Sequence, residues 1–172
     1  MTFRMDPTPS AVTGGFVAGD VRIALMDGHH CTIADVVEQL HRGVHRTTYA
    51  LDADGNVHAV QVKLARRAEG DAPVLAVRLD DDAVVHCSPH QLFLLPTGEW
   101  ARADHLRAGD HLLTVAGPHL WVGKAYDTDL HARTDASRSV VSVAKDGERA
   151  LYEFQVDHLH NIAHPSGIFL HD

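Results

Sequence analysis

The chain is poor in cysteine, in runs of positive charge and in long apolar stretches, and each shortage removes a class of protein. Two cysteines, Cys31 and Cys87, in 172 residues cannot make the disulfide framework of a small secreted scaffold. No basic-then-apolar leader opens the sequence, since Thr2 to Pro9 is polar and carries Arg4 and Asp6, so a reduced, cytoplasmic protein is expected. No Lys/Arg run exceeds Arg66-Arg67 and the formal net charge is -8, which argues against a surface that binds nucleic acid through phosphates. Apolar stretches such as residues 72–77 and 92–95 fall far short of the roughly 20 residues of a bilayer span. What is present suits a folded single domain: 45% hydrophobic and 22% charged residues, with Gly 13 and Pro 7. One residue type is in excess, with His 15 in 172.

Residues 1–14 are polar, contain Pro7 and Pro9 and show no periodicity, so a disordered leader outside the packed unit is expected there, with one domain over residues 15–172. Phe16-Val17 and then Val21 to Leu25 read as strand, stopped by the Asp27-Gly28 turn dipeptide. Thr32 followed by Asp35, an apolar stripe of Ile33, Val36, Val37 and Leu40, and Gly43 beyond it predict one short helix. From Tyr49 the apolar period becomes two. Strand pairs are predicted around the turns Asp54-Gly55, Asp80-Asp81-Asp82, Pro96 to Gly98 and Asp146-Gly147, with further strands at residues 111–115 and 168–170. The expected fold class is all-β, many short strands with one short helix. Residues 116–138, with Gly117-Pro118 and scattered charges, break the rhythm and read as a variable insertion.

Four stretches, in order, resemble the Hint superfamily, which comprises inteins, bacterial intein-like domains and hedgehog autoprocessing domains. They are Gly15-Phe16-Val17-Ala18-Gly19-Asp20-Val21 with Asp27-Gly28; Val85-His86-Cys87-Ser88-Pro89-His90-Gln91; Gly98-Glu99-Trp100 through Ala103, Leu106 and Gly109-Asp110; and Leu151-Tyr152 to Val156, His160-Asn161 and Gly167-Ile168-Phe169-Leu170-His171-Asp172. The resemblance implies a twisted, horseshoe-like fold in which both ends of the domain meet at one site. It also implies self-splicing or autoproteolysis: a monomer acting on its own flanking sequence, with no cofactor and no metal.

Residue by residue, the resemblance puts the catalytic positions at Gly15, Ser88, His90, Gln91, His160, His171 and Asp172, and several of them lack the family's chemistry. The opening thiol, which would attack the preceding carbonyl, is replaced by Gly15, so an acyl shift at Gly14-Gly15 is chemically impossible. The family's Thr-x-x-His element supplies the imidazole that protonates the leaving amide. Two alignments compete for it. Reading Ser88 as the Thr puts Gln91 at the histidine; reading Cys87 as the Thr keeps His90 there but lengthens the hairpin by one, and hairpin register favours the first. The final Asn is replaced by Asp172, behind a retained His171, and the upstream His160 is retained beside Asn161. The function expected is therefore that of an intein-like domain impaired in this chain; the alternative is a catalytically inactive Hint module serving as a binding or structural domain.

Three further features have plainer readings. Cys87, on a strand before Ser88, could act as a displaced nucleophile but reads better as a small buried residue. His158, His160, His164 and His171 have spacing that could converge on zinc, although His164 precedes Pro165 in a loop and surface use of histidine is the simpler account. Trp100 is expected to pack in the core.

Overall fold

A computed structural model describes residues 3–7, 15–115 and 132–172 of the chain. In chain order the strands are β1 (Gly15–Ala18), β2 (Arg22–Ala24) and β3 (His30–Thr32), then the helix α1 (Ile33–His41) and strands β4 (Thr47–Leu51), β5 (Val57–Leu79), β6 (Val84–Cys87), β7 (Leu92–Leu94), β8 (Trp100–Arg102), β9 (His111–Val115), β10 (Ala132–Val156), β11 (Asn161–Ala163) and β12 (Phe169–His171). A short 3-10 turn, Ala103–His105, separates β8 from β9. No helix of the described residues is long and apolar enough to cross a membrane.

Local chemistry starts and stops these elements much as the sequence suggests. The Thr32 hydroxyl accepts the Asp35 N–H at 3.2 Å and so caps α1, which buries Ile33, Val36 and Val37. Gly43, at φ +78, ends it, with the Gly43 and Val44 N–H groups donating to the Leu40 and Gln39 carbonyls. Between β4 and β5 the Asp52 carboxylate accepts the N–H groups of Asp54 and Asn56, and Gly55 takes the positive φ that the turn requires.

The strands form a six-stranded sheet in the order β4-β5-β6-β1-β10-β9, a four-stranded sheet β11-β12-β7-β8 and a two-stranded pair β2-β3. In the large sheet β5 and β10 also pair directly, so β5, β6, β1 and β10 close a ring. This closure places the opening strand β1 between Cys87 of β6, opposite Val17, and the last turns of β10, with Gly15 opposite Phe154. A large apolar cluster that includes Val17, Ile33, Val85, Phe93 and Phe154 fills the interior. A second one, with Phe3, Tyr49, Leu51, Leu94, Leu113 and Phe169, lies under the four-stranded sheet.

Two expectations of strand layout change. Asp146-Gly147 is not a turn between two strands: β10 runs through it, with Gly147 at φ +70 and a register shift between Lys145 and Glu148, so the dipeptide makes a bulge. β5 likewise runs unbroken past Gly70, where two shorter strands were predicted. Of the insertion expected over residues 116–138, residues 132–138 are the first part of β10, and residues 116–131 lie outside the described residues. Of the leader expected over residues 1–14, residues 3–7 lie against the domain: Phe3 is 3% exposed in the second cluster, and the Met5 and Asp6 N–H groups donate to the Ala53 and Gly98 carbonyls. The apolar Phe3 and Met5, two apart, suffice to seat an extended segment that carries no longer pattern.

Candidate functional site

A turn between β6 and β7 grips the opening strand. The Ser88 hydroxyl accepts the His90 N–H at 3.0 Å and the Ser88 carbonyl accepts the Gln91 N–H at 3.1 Å, which folds residues 88–91 back on themselves. From the other side the Ala103 and Asp104 N–H groups donate to the Gln91 and Pro89 carbonyls, so the 3-10 turn holds it rigid. Phe16 of β1 is held by both ends of this turn: its carbonyl accepts the Ser88 N–H at 3.1 Å, and its N–H donates to Gln91 Oε1 at 2.8 Å.

Gln91 also reaches the other end of the domain. Its Nε2 donates to the carbonyls of His171 (2.8 Å) and Leu92 (3.1 Å), so one buried amide joins β1 to β12. Both amide hydrogens are engaged, and the side chain is 3% exposed. His90 points elsewhere: it is exposed, and its Nδ1 lies 2.6 Å from Arg102 Nη2, which makes that nitrogen an acceptor.

At the closing end, His171 is buried against Trp100, with ring centroids 4.9 Å apart and edge-to-face. Burial is the largest influence on its imidazole and pulls its pKa below the ordinary value, against the opposing pull of Asp172. His171 is therefore neutral near pH 7, and its Nδ1–H donates to the Asp172 carbonyl at 2.7 Å. The Asp172 carboxylate accepts the Val156 N–H at 3.1 Å and the His160 Nδ1–H at 3.3 Å, while the Asp172 N–H donates to the His160 carbonyl. The His160 and His171 rings are nearly parallel, with centroids 6.3 Å apart. His160 itself has φ +58, a left-handed conformation that turns the chain from β10 into β11.

Of the candidate residues, the structure thus gathers Gln91, His160, His171 and Asp172 about the Phe16 end of β1, which Gly15 opens. Ser88 serves through its backbone and caps the turn, and His90 stays outside. Cys87 is fully buried, and burial pushes its thiol far up, so it remains an unreactive thiol. His164 lines a separate cavity of about 740 Å³ and accepts the Ser166 N–H at its Nδ1, so it does not join His160 and His171. Among the described residues no group of three or more His, Cys, Asp or Glu is placed to hold a metal ion.

Two residues carry more of the site than the sequence suggested. Asn161, fully buried, accepts the Leu51 N–H and donates to the Leu51 and Leu159 carbonyls, and so ties β11 to β4 beneath His160. Its position beside His160 in a closing block was the available signal. Trp100 is half-buried and borders His171 rather than lying wholly in the core.

No family model matches the chain. It is 29% identical over 117 residues to a DNA gyrase subunit of Synechocystis sp. (strain ATCC 27184 / PCC 6803 / Kazusa), a match that covers 64% of this chain and only 11% of that protein. Solved structures are similar over almost the whole chain. A DnaB intein from Synechocystis sp. PCC 6803 has a TM-score of 0.69 at 19% identity, covering 91% of this chain and 97% of that one. The DnaX mini intein from Spirulina platensis has a TM-score of 0.67 at 19% identity, with 91% and 99% covered. The TvoVMA intein has 0.69 at 19% identity, with 92% and 98% covered. The chain therefore has the fold of these solved inteins, the Hint fold, with the two ends of the domain meeting at Gln91.

Proposed function

We propose that the chain is a self-processing, intein-like domain that acts on its own flanking sequence and whose upstream chemistry is disabled. The observation that carries this reading is the bridge from the Phe16 N–H through the Gln91 amide to the His171 carbonyl, which brings both ends of the domain together. Such convergence is what self-processing asks of a fold, because placement of the reacting groups supplies much of the rate. The gyrase match supports an embedded domain, since it occupies a small fraction of a much longer chain.

At the upstream end Gly15 offers no nucleophile, and Gln91 has no proton to give at neutral pH. The bond between Gly14 and Gly15 therefore stays intact. At the downstream end the His171 Nδ1–H polarises the carbonyl of residue 172, the bond that a succeeding residue would share. Cleavage there would require a carboxylate oxygen of Asp172 to attack that carbonyl carbon, closing a cyclic anhydride and expelling the downstream amine, which takes up a proton; water would then reopen the anhydride. The carboxylate is instead tied to Val156 and His160, so this step is slow.

The second reading, an inactive Hint module kept as a binding or structural domain, is favoured by the same Gln91, whose engaged amide hydrogens act as a staple. In either case the protein works as a cytoplasmic monomer, without cofactor, metal or nucleic acid. Appending a short peptide after Asp172 and following intact mass over days at neutral pH tests the proposal. The upstream junction should remain whole while the peptide is lost slowly or not at all. A fragment beginning at Gly15 would overturn it.

A further inference from the structure

Upstream of the candidate junction, residues 3–7 do not trail away from the domain; they sit in a formed socket on it. Phe3 is buried among Tyr49, Leu51, Leu94, Leu113 and Phe169, drawn from four different strands, and Met5 packs half-buried against the same cluster. Between them Arg4 faces out, 3.9 Å from Asp54. The backbone is held on two sides, the Met5 N–H by the Ala53 carbonyl at 2.8 Å and the Asp6 N–H by the Gly98 carbonyl at 2.8 Å. This is how folded domains take up extended peptides: main-chain hydrogen bonds hold the strand, and pockets read alternate side chains.

The socket wall is shaped for the segment. A Cβ on Gly98 would lie 2.0 Å from the Arg4 carbonyl oxygen, and Gly98 has φ +91, so no other residue lets the peptide approach so closely. The socket also adjoins the candidate site, because Trp100 packs against the Phe3 cluster and edge-on against His171.

We propose that this socket is a recognition site for the upstream flank, specific for an extended peptide with Phe and Met two residues apart, and that it retains that flank noncovalently once the connection over residues 8–14 is cut. The term flank rests on the self-processing reading; the binding does not, since no self-cleavage is needed to measure it. Trp100 then makes occupancy of the socket a support for the position of His171.

The test places a site-specific protease sequence at residues 10–13 of the otherwise native full chain, cuts it after folding, and follows the upstream fragment by native mass spectrometry and gel filtration. The cut fragment should co-migrate with the domain and exchange slowly with a labelled peptide of residues 1–9. Phe3→Ala should speed its release by about tenfold or more, whereas Arg4→Ala, on the exposed side, should leave release within about twofold. Immediate loss of the native-sequence fragment, or equal retention of the Phe3→Ala fragment, would overturn the socket. Retention in a chain that shows no self-processing even with its catalytic residues restored would leave the socket standing and remove only the name of flank.

Discussion

With Ser88 read as the Thr of the Thr-x-x-His element, Gln91 stands where the resemblance calls for a proton donor, and it donates two hydrogen bonds that its surroundings need. Its loss would leave the Phe16 N–H and the His171 carbonyl without this partner, so Gln91→Ala should cost about 2–3 kcal/mol in urea unfolding. An unchanged midpoint would mean that water replaces the bridge. His164 sets a second residue-scale expectation. Burial pulls its pKa down to about 4 from the ordinary 6.5, with the charges of Asp81 and His30 as smaller, opposed influences. The folded state therefore refuses a proton that the unfolded chain accepts, and stability is lost as pH falls from about 6.5 towards 4, by about 2 kcal/mol at pH 5. His164→Gln, which keeps an acceptor for the Ser166 N–H, should flatten the profile between pH 7.5 and 5. At this scale what Gly15 and Asp172 can do chemically is legible, because it lies in the residue type alone; that they stand at reacting positions rests on the resemblance. Hairpin register in the sequence favours Gln91 over His90; that Gln91 is the one bonded to β1 follows from a turn held by backbone bonds from Ala103 and Asp104, which no side-chain pattern announces.

At the level of elements, the helix and the turns at Asp54-Gly55, Asp80 to Asp82 and Pro96 to Gly98 lie where apolar period and turn chemistry predict. Asp146-Gly147 misleads because positive φ at glycine serves a bulge as well as a turn, and only the partner strand decides; β5 pairs on both sides of the dipeptide and carries β10 through. The upstream residues 3–7 escaped the sequence because two apolar side chains make no period. Asn161 shows how a side chain can substitute for strand pairing, with Leu51 bonded through both its N–H and its carbonyl. Asn161→Ala should therefore cost about 2–3 kcal/mol and lower hydrogen-exchange protection in β4 and β11 ahead of the other strands. Uniform loss of protection would show that the two strands are not linked through this residue.

Across the whole molecule, the ring of β5, β6, β1 and β10 and the four-stranded sheet meet at Gln91, so the fold brings residues 75 apart, Phe16 and Gln91, and residues 80 apart, Gln91 and His171, to one point. On the proposed self-processing reading, placement is intact and only reactive groups are missing, so returning those groups should return the reaction. The most direct measurement is time-resolved intact mass of Gly15→Cys/Gln91→His/Asp172→Asn carrying a peptide after residue 172. The account predicts thiol-dependent cleavage between residues 14 and 15 together with release of the appended peptide. It also predicts little cleavage from Gly15→Cys alone, since an amide nitrogen leaves poorly without a proton. A triple variant that folds and keeps both junctions whole would contradict the claim that the two ends of this domain form one reaction site.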